Sequence, residues 1–345
     1  MNDIQSLTKH DYAIYVDTQS KSVQTTSIQV FLDQSDAGGI GRCLKIKIAM
    51  DPQCSIQAMT KEYWLMKSIC PILDRPTEVS DTPFSHKTWS VVRCHETGLV
   101  FLSNPPDYSL LESTFAWEKT FTAERERRRL EEPIFSRLSA IFKKARMTIF
   151  RKRNKIASLF MAATKKWNRS EPLQLLDIGC GQGKLMVDIY NQSAKRGQKI
   201  IPCGIEVSKH LASLSAERVS EFGGRVISAD AIEGASSLDP DSIHVVVMHS
   251  FLEHECRPLI LLKRLHHILN SKGVIIIKVP NFACWNRVLR GRKWCGFRYP
   301  DHVSYFTPTT LRKLAKEAGF TVSRQNYLDR SPLSDNMYAI LAKTA

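Results

Sequence analysis

The chain of 345 residues lacks several features that define whole classes of proteins. No apolar run approaches the ~18–20 residues that a membrane-spanning helix needs, and the first residues lack the basic-then-apolar pattern of a signal peptide. The nine cysteines form no CxxC pair, which argues against a regular disulfide framework and against an intact zinc motif. These absences predict a folded protein of the cytoplasm that has no membrane span and keeps its thiols reduced.

Acidic residues are too few to balance the basic ones, and the formal net charge is +15. Much of this charge is local, because residues 124–169 contain 15 Lys/Arg and 4 Asp/Glu, a net of +11. The segment is predicted to be helical, with apolar residues at Leu138, Ile141, Phe142, Ala145 and Ile149. Such a segment can contact the phosphates of a nucleic acid, but a run of charges is more often a solvated helix face.

The pattern of apolar, charged and turn-forming residues changes along the chain and predicts three regions. Residues 1–110 carry short β-type runs such as SIQVFL, CLKIKIAM, TWSVVRC and GLVFL, and residues 111–169 form the basic helical segment. From residue 170 to 345, apolar strands alternate with helical stretches, which is typical of a doubly wound, mostly parallel α/β sheet covered on both faces. The last two strand-like runs, with no helix between them, predict an antiparallel hairpin that completes a seven-stranded sheet.

A glycine-rich loop follows the first strand of this α/β region, in the sequence LLDIGCGQG at residues 175–183. Glycines at 179, 181 and 183 expose backbone N–H groups at the ligand crevice outside the carboxyl end of the sheet. The spacing differs from the GxGxxG of dinucleotide sites, and no GKS or GKT follows, which excludes a nucleoside-triphosphate loop. The loop therefore predicts a site for another ligand.

The pattern DxGxGxG, with acidic residues after the next two strands in GIEV and ISADA, resembles the class I S-adenosylmethionine-dependent methyltransferases of the methyltransferase 11 and 23 types. The resemblance implies a Rossmann-like methyltransferase fold and S-adenosylmethionine as methyl donor. It also implies that Glu206 binds the ribose hydroxyls and that Asp230 binds the adenine amino group. The full set of implied cofactor contacts is Asp177, Gly179, Cys180, Gly181, Gly183, Glu206, Val207, Asp230, Ala231 and His249, with Cys180 packed beneath the loop.

Candidate catalytic residues follow the fourth strand and lie in the later motif YPDHVSYF. His254 and His302 have an unperturbed pKa that suits a general base, and Glu253 is able to orient its neighbour or cap the next helix. The alternative is that each histidine is a packing or capping residue. In ubiquinone-type O-methyltransferases, which the stretch resembles, an acid three positions before the Glu-His pair is associated with a divalent metal. Ser250 stands there in this chain, so we expect no metal.

Other acceptor motifs are absent from the sequence. No NPPY-like motif follows the fourth strand, which argues against adenine or glutamine N-methylation, and Cys256 lacks the setting of a cytosine C5 nucleophile. In the family, the insertion at residues 281–311 covers the acceptor. Two interpretations stay open for its side chains, a grip on a flat or anionic acceptor or simple packing of a lid. The side chains concerned are Trp285, Trp294, Phe297, Tyr299, Tyr305, Arg287, Arg290, Arg292 and Arg298.

The N-terminal region resembles a small zinc-binding module that family members often carry. The matching stretches are CPIL at Cys70 and CHETGLVFLSNPP at Cys94. Leu73 and Thr97 stand where two further ligands would be, and two cysteines cannot complete a four-ligand zinc site. We therefore expect a module that has kept its shape and lost its metal, unless His86 or His95 substitutes.

Three functions remain open on the sequence alone. The first is methyl transfer to an oxygen of a small molecule, such as a sugar, a lipid or quinone precursor, or a secondary metabolite. The second is RNA methylation, which the basic segment favours, although the segment has no interleaved aromatics or known RNA-binding module. The third is a subunit that binds S-adenosylmethionine without catalysis. The oligomeric state is not readable from the sequence.

Overall fold

The computed structural model describes residues 28–32, 43–48, 63–106, 154–167 and 170–344. These residues form two separate seven-stranded sheets, with helices packed on the second. The strands are β1 (Ile28–Leu32), β2 (Cys43–Ile48), β3 (Tyr63–Cys70), β4 (Arg75–Asp81), β5 (Val91–Cys94), β6 (Val100–Leu102), β7 (Leu173–Ile178), β8 (Ile200–Ile205), β9 (Arg225–Ile227), β10 (Ile243–His249), β11 (Leu269–Pro280), β12 (Ser304–Tyr305), β13 (Phe320–Arg324) and β14 (Asn336–Lys343).

The first sheet is antiparallel throughout and has the order β1-β2-β3-β4-β5-β6-β12. The sequence analysis predicts strands at β1, β2, β5 and β6 but not the hairpin of β3 and β4. The sequence of β4, RPTEVSD, hides its strand character because it begins beside a proline and buries only Thr77 and Val79. A strand with one solvated face carries a weak apolar signal.

The second sheet has the order β9-β8-β7-β10-β11-β14-β13. Five neighbouring strands are parallel, and β14 runs antiparallel to both β11 and β13. The structure confirms the predicted mostly parallel seven-stranded sheet with a closing antiparallel hairpin. Chain order reverses between β7 and β10, which is the place where open α/β sheets form a ligand crevice.

Seven α-helices lie within the described residues, and most begin at a polar cap. Ser208 and Thr307 accept hydrogen bonds from the first backbone N–H groups of their helices through their hydroxyls, which satisfies donors that have no partner inside the helix. The helices are α1 (Lys155–Ala163), α2 (Lys184–Ala194), α3 (Lys209–Ser220), α4 (Ala231–Ser236), α5 (Pro258–Ile268), α6 (Trp285–Arg290) and α7 (Pro308–Glu317).

The two sheets are joined through the segment between β11 and α7. Its strand β12 pairs with β6, so the first sheet takes its last strand from the C-terminal half of the chain. Around this strand, Trp294, Phe297 and Tyr305 form a buried cluster with Val91 and Leu102. The Tyr299 hydroxyl donates to the Phe84 carbonyl at 2.7 Å. The first sheet therefore packs directly against the residues that border the crevice of the second.

Most of the basic segment lies outside the described residues. The predicted helical face stays a prediction, because its residues lie in that part: Leu138, Ile141, Phe142, Ala145 and Ile149. Helix α1 falls inside the segment and buries Ile156, Leu159 and Phe160. Among the residues that the structure describes, no helix combines the length and apolar character needed to cross a membrane. The predicted division at residues 110 and 169 stays a prediction.

Candidate active site

One cavity of about 930 Å³ opens at the carboxyl ends of the parallel strands. A volume of this size is at the upper end of the range for small-molecule and cofactor sites. Two groups of residues line it, and we refer to them as its two ends. One is the glycine loop with the residues that follow β8 and β9, and the other is the residues that follow β10 with the segment 295–302. The crevice predicted at the reversal of strand order is thus present as a single continuous space.

The glycine loop adopts a backbone that depends on its glycines. Gly179, Gly181 and Gly183 all have positive φ angles, from 53° to 74°. At Gly183, a Cβ atom would also lie 2.6 Å from the Ser215 hydroxyl oxygen. Both the backbone conformation and this close approach therefore disfavour a side chain at that position. At Gly181 no atom lies within 4 Å of such a Cβ, which shows that this backbone faces open space. Gly183 is also the N-cap of α2.

Glu206 fixes the loop from the end of the next strand. Its Oε2 accepts a hydrogen bond from the Gly181 N–H at 2.8 Å, and its Oε1 accepts one from the Ser208 N–H at 3.0 Å. A carboxylate has about four acceptor positions, and Glu206 lines the cavity beside the loop. Asp177 is buried one strand away, and burial together with the Glu206 charge raises its pKa to about 8. Asp177, predicted as a cofactor contact, is not among the residues that line the cavity.

The remaining predicted cofactor residues also lie at this end of the cavity. Asp230 accepts hydrogen bonds from the N–H groups of Ile232 and Glu233 through Oδ1, which makes it the N-cap of α4. Val207 and Ala231 line the cavity beside it. His249 lines it at the end of β10, and partial burial and the Lys278 charge lower the pKa of His249 to about 4.

Cys180 lies inside the loop but beneath it. Its side chain is buried, and its Sγ lies 3.4 Å from the Ser215 hydroxyl oxygen. Burial raises the pKa of the thiol, so the sulfur is held as a neutral thiol rather than a reactive thiolate. Cys256 is a similar case, because burial raises its pKa to about 12. Both cysteines are packing residues in this structure.

At the opposite end of the cavity, Glu253, His254 and His302 come together, and we call them the histidine cluster. One ligand-type atom from each lies within 4.8 Å of the others. The two imidazole rings meet edge to face, with centroids 4.7 Å apart. Their Nδ1 atoms lie 2.8 Å from the carbonyl oxygens of Asp301 and Gly296. Carbonyls only accept, so both Nδ1 atoms carry the proton and both Nε2 atoms keep a lone pair.

Burial shapes the chemistry of the histidine cluster. It raises the pKa of Glu253 and lowers that of His302 well below its usual value, and the latter effect is enhanced by His254 and Arg298. His302 is therefore a neutral imidazole. The Glu253 carbonyl accepts hydrogen bonds from the N–H groups of Val303 and Ser304 at 2.9 and 3.1 Å, which ties the two segments of the cluster together.

Sequence reasoning missed Lys278, which also borders the cavity. It ends the parallel part of β11 and is largely buried, and burial lowers its pKa. Its ammonium donates to the Ser250 hydroxyl, and Ser250 itself has a φ of 59°, which is unusual for a residue with a side chain. The signal was a single lysine at the end of the apolar run GVIIIKVP. A lone charge in a strand buried on both faces needs a functional or structural partner.

The insertion at 281–311 contributes few of the predicted side chains to the cavity. Trp294, Phe297 and Tyr305 pack into the buried cluster beneath β12, and Trp285 points to the surface with 59% exposure. Of the four arginines, only Arg298 borders the cavity, where it forms a 2.8 Å ion pair with Asp301. Arg287 stacks on Phe282, and Arg292 donates to the Pro83 carbonyl. For the aromatic residues, packing is the interpretation that the geometry supports.

The resemblance to a zinc module has a clear structural counterpart. Cys70, Cys94 and Thr97 meet in a buried site that we call the cysteine pocket. The Thr97 hydroxyl lies 3.4 Å from the Cys70 sulfur and accepts a hydrogen bond from the Leu99 N–H at 3.2 Å. Neither His86 nor His95 joins them in a group of three or more potential ligands. Within the described residues, the only such group is the histidine cluster.

Comparison with solved structures gives many similar folds. A methyltransferase from Archaeoglobus fulgidus, dependent on S-adenosylmethionine, is 19% identical over 59% of this chain and 99% of its own, with a TM-score of 0.38. A TehB-like methyltransferase from Corynebacterium glutamicum is 19% identical over 62% and 100%, with a TM-score of 0.38. The Burkholderia thailandensis 1,6-didemethyltoxoflavin-N1-methyltransferase is 16% identical over 72% and 96%, with a TM-score of 0.41.

A search of curated proteins found no match to the sequence. The sequence profile of a methyltransferase family does match, over residues 125–325, which is more than half of the chain. The matched residues include the glycine loop, Glu206, Asp230 and the whole histidine cluster. The chain therefore belongs to the methyltransferase 23 family, whose profile describes a methyltransferase domain that depends on S-adenosylmethionine.

Proposed function

We propose that this protein transfers the methyl group of S-adenosylmethionine to an oxygen of a small-molecule acceptor. The observation that carries the proposal is that one cavity is lined both by the glycine loop and by the histidine cluster. S-adenosylmethionine, when bound, supplies an electrophilic methyl group. The protein must then place an acceptor in line with that group and remove its proton.

The residues at the glycine-loop end fit an adenosyl group. The open backbone at Gly181 allows close approach, and Glu206 offers acceptor positions to ribose hydroxyls while it holds the loop. The free acceptor capacity of Asp230, whose Oδ1 caps α4, suits an exocyclic amino group. His249, a neutral imidazole at this pKa, and the apolar Val207 and Ala231 complete the wall.

The residues at the other end suit proton removal from a hydroxyl. The Nδ1–H groups of His254 and His302 are held by backbone carbonyls, which orients each ring and leaves Nε2 as the basic atom. His254 is only half-buried, so its Nε2 is the better placed to receive a proton from an acceptor and pass it on. Lys278 and Arg298 supply positive charge at this end, which stabilises an oxygen that loses its proton.

Calorimetry tests the cofactor half of this proposal. We expect wild-type protein to bind S-adenosylhomocysteine and Glu206→Gln to bind at least about tenfold more weakly, because hydrogen bonds to charged groups contribute ~1.5–3 kcal/mol. Glu217→Gln, an exposed change on helix α3, is the matched control and should bind as wild type does. Absence of binding by the wild type would contradict the proposal.

Methyl-labelled S-adenosylmethionine tests the acceptor class. The protein is incubated with a metabolite extract of its host and, separately, with total RNA. Label in the metabolite fraction alone supports the proposal. Label in RNA alone would overturn it and favour the RNA methyltransferase, for which the basic segment at 124–169 is the motivation. Cofactor binding without label in either fraction would favour a non-catalytic subunit.

A further inference from the structure

The histidine cluster places one ligand-type atom of each of its three side chains within 4.8 Å of the others. The proton of each imidazole is on Nδ1, because that atom faces a backbone carbonyl. The side-chain oxygen Oε2 of Glu253 is buried and has no hydrogen-bond partner among the described residues. Two lone pairs and a carboxylate oxygen repel each other unless a proton or a cation lies between them.

We propose that Glu253, His254 and His302 bind a divalent transition-metal ion. Two neutral imidazoles and one carboxylate form a ligand set that proteins use for catalytic zinc and related ions, with further positions left open for water or substrate. His302 and Glu253 are almost fully buried, whereas His254 is half-buried and borders the open cavity. The open positions of the ion therefore face the acceptor end of the cavity.

The spacing of the cluster is compatible with one ion after a small adjustment. Three atoms that lie within 4.8 Å of one another share a central point at most about 2.8 Å from each, and zinc bonds to nitrogen and oxygen measure ~2.0–2.2 Å. Small movements of the side chains close this difference. The carbonyls that hold both Nδ1–H groups provide the outer hydrogen bonds that usually orient metal-binding histidines.

Two cations near the cluster already have other partners. The Lys278 ammonium donates to the Ser250 hydroxyl, and the Arg298 guanidinium pairs with Asp301 at 2.8 Å. Neither forms a hydrogen bond with Oε2 of Glu253. Two imidazoles and a carboxylate gathered in this way are a ligand set that suits a divalent metal ion.

The role of the ion rests on the proposed function, whereas its binding does not. With the ion in place, the Nε2 lone pair of His254 would be a metal ligand, and the ion would replace that imidazole as the group that ionises the acceptor. An acceptor hydroxyl bound to the ion would lose its proton to water. Its oxygen would then form a bond to the methyl carbon as the S–CH3 bond breaks, and S-adenosylhomocysteine would leave. This restricts the acceptor class to hydroxyl compounds that can approach a metal at the base of the cavity, with phenols, enols and vicinal diols as the most favourable cases.

Metal binding is measured without any methyl acceptor. Protein is stripped with a chelator and titrated with Zn²⁺ in the presence of a chromophoric competitor, and with Co²⁺ by absorption spectroscopy. We expect one tightly bound ion per chain and a Co²⁺ spectrum without the intense near-ultraviolet charge-transfer band of thiolate ligation. His302→Ala and Glu253→Gln should each lower the affinity at least tenfold, and His267→Ala, an exposed histidine on α5, should not.

Binding of S-adenosylhomocysteine to each variant shows that it is folded and separates this proposal from the preceding one. Cofactor binding by the wild type without tight Zn²⁺ binding would overturn the metal site and leave the methyltransferase proposal standing. Unchanged Zn²⁺ affinity in both His302→Ala and Glu253→Gln, or a thiolate band with Co²⁺, would also overturn it. If Glu253→Gln and His302→Ala do not fold, Glu253→Asp and His302→Gln serve as milder variants with the same expected direction.

Discussion

The cysteine pocket and the histidine cluster are two buried places where this chain gathers metal-binding residue types. In the cysteine pocket, the Thr97 hydroxyl contacts Cys70 and accepts the Leu99 N–H, so the polar groups satisfy one another. In the histidine cluster, the buried Oε2 of Glu253 has no such partner, and backbone carbonyls hold the Nδ1 atoms of both histidines. The comparison separates a site closed by its own side chains from one that is completed by a ligand.

This difference has a physical basis in the hydroxyl of threonine. A hydroxyl both donates and accepts, so Thr97 can form hydrogen bonds with a thiol and with a backbone N–H at the same time. Side chains that only accept hydrogen bonds cannot satisfy one another. A buried place that lacks donors is costly unless something binds there, and such places are typical of functional sites.

The largest predicted effect comes from removing the half-buried histidine. We expect His254→Ala to lower the methyl-transfer rate by about 10²–10⁴-fold, because a positioned acid–base group contributes that much. Cys70→Ser, the corresponding change in the cysteine pocket, should leave the rate unchanged. Initial rates of label incorporation into the acceptor fraction measure both. Equal losses in the two variants would show that the two places do not differ in function.

A second prediction concerns the closure of the cysteine pocket. Thr97→Val keeps the shape of the side chain but leaves the buried Leu99 N–H without its acceptor, so the free energy of unfolding should fall by about 1–3 kcal/mol. Denaturant unfolding of the variant and of Thr88→Val, an exposed threonine in the connection between β4 and β5, measures the effect. If Thr97→Val were as stable as the control, the pocket would not be held by its hydroxyl.

The smallest predicted effect is a pH dependence of stability to which the histidine cluster contributes and the cysteine pocket does not. His302 has a lower pKa in the folded chain than the ~6.5 of an unfolded one, so the unfolded chain binds more protons as the pH falls. The free energy of unfolding should therefore decrease below about pH 6.5, by up to ~1.4 kcal/mol per pH unit, until the folded pKa is reached.

His302→Gln should reduce this slope, while Glu253 and His249 titrate in both proteins. Unfolding midpoints between pH 5 and 7.5 provide the measurement, and Thr97→Val, altered in the cysteine pocket, is expected to keep the wild-type slope. An identical slope in His302→Gln would mean that His302 takes up its proton in the folded state as readily as in the unfolded one.

Sequence patterns were sufficient to predict the strands of the second sheet because those strands are buried on both faces. LQLLDIG, IHVVVMHS and GVIIIKVP read as apolar runs that only a covered parallel sheet accommodates. The glycine loop was equally predictable from the sequence, since positive φ angles at three closely spaced positions favour glycine. In the first sheet, the alternation in β4 was masked by polar residues on the solvated face.

All three residues of the histidine cluster were candidates on the sequence, but their proximity was not predictable. Glu253 and His254 are neighbours in the sequence, but His302 lies far along the chain and reaches them because the Glu253 carbonyl binds the N–H groups of Val303 and Ser304. No sequence periodicity encodes that pair of hydrogen bonds. The expectation of no metal rested on Ser250 alone, and the proposed site depends on this long-range contact. The roles of these residues, like the cofactor contacts, stay predictions.

Strand β12 ties the acceptor end of the cavity to the N-terminal sheet through two residues, Ser304 and Tyr305, that pair with β6. His302 stands immediately before this strand. The glycine loop could be transplanted with the parallel sheet alone, but the position of His302 could not. We therefore expect the two halves of the chain to have diverged together, and chimeras between relatives to retain the cofactor yet lose the acceptor when their junction separates β6 from β12.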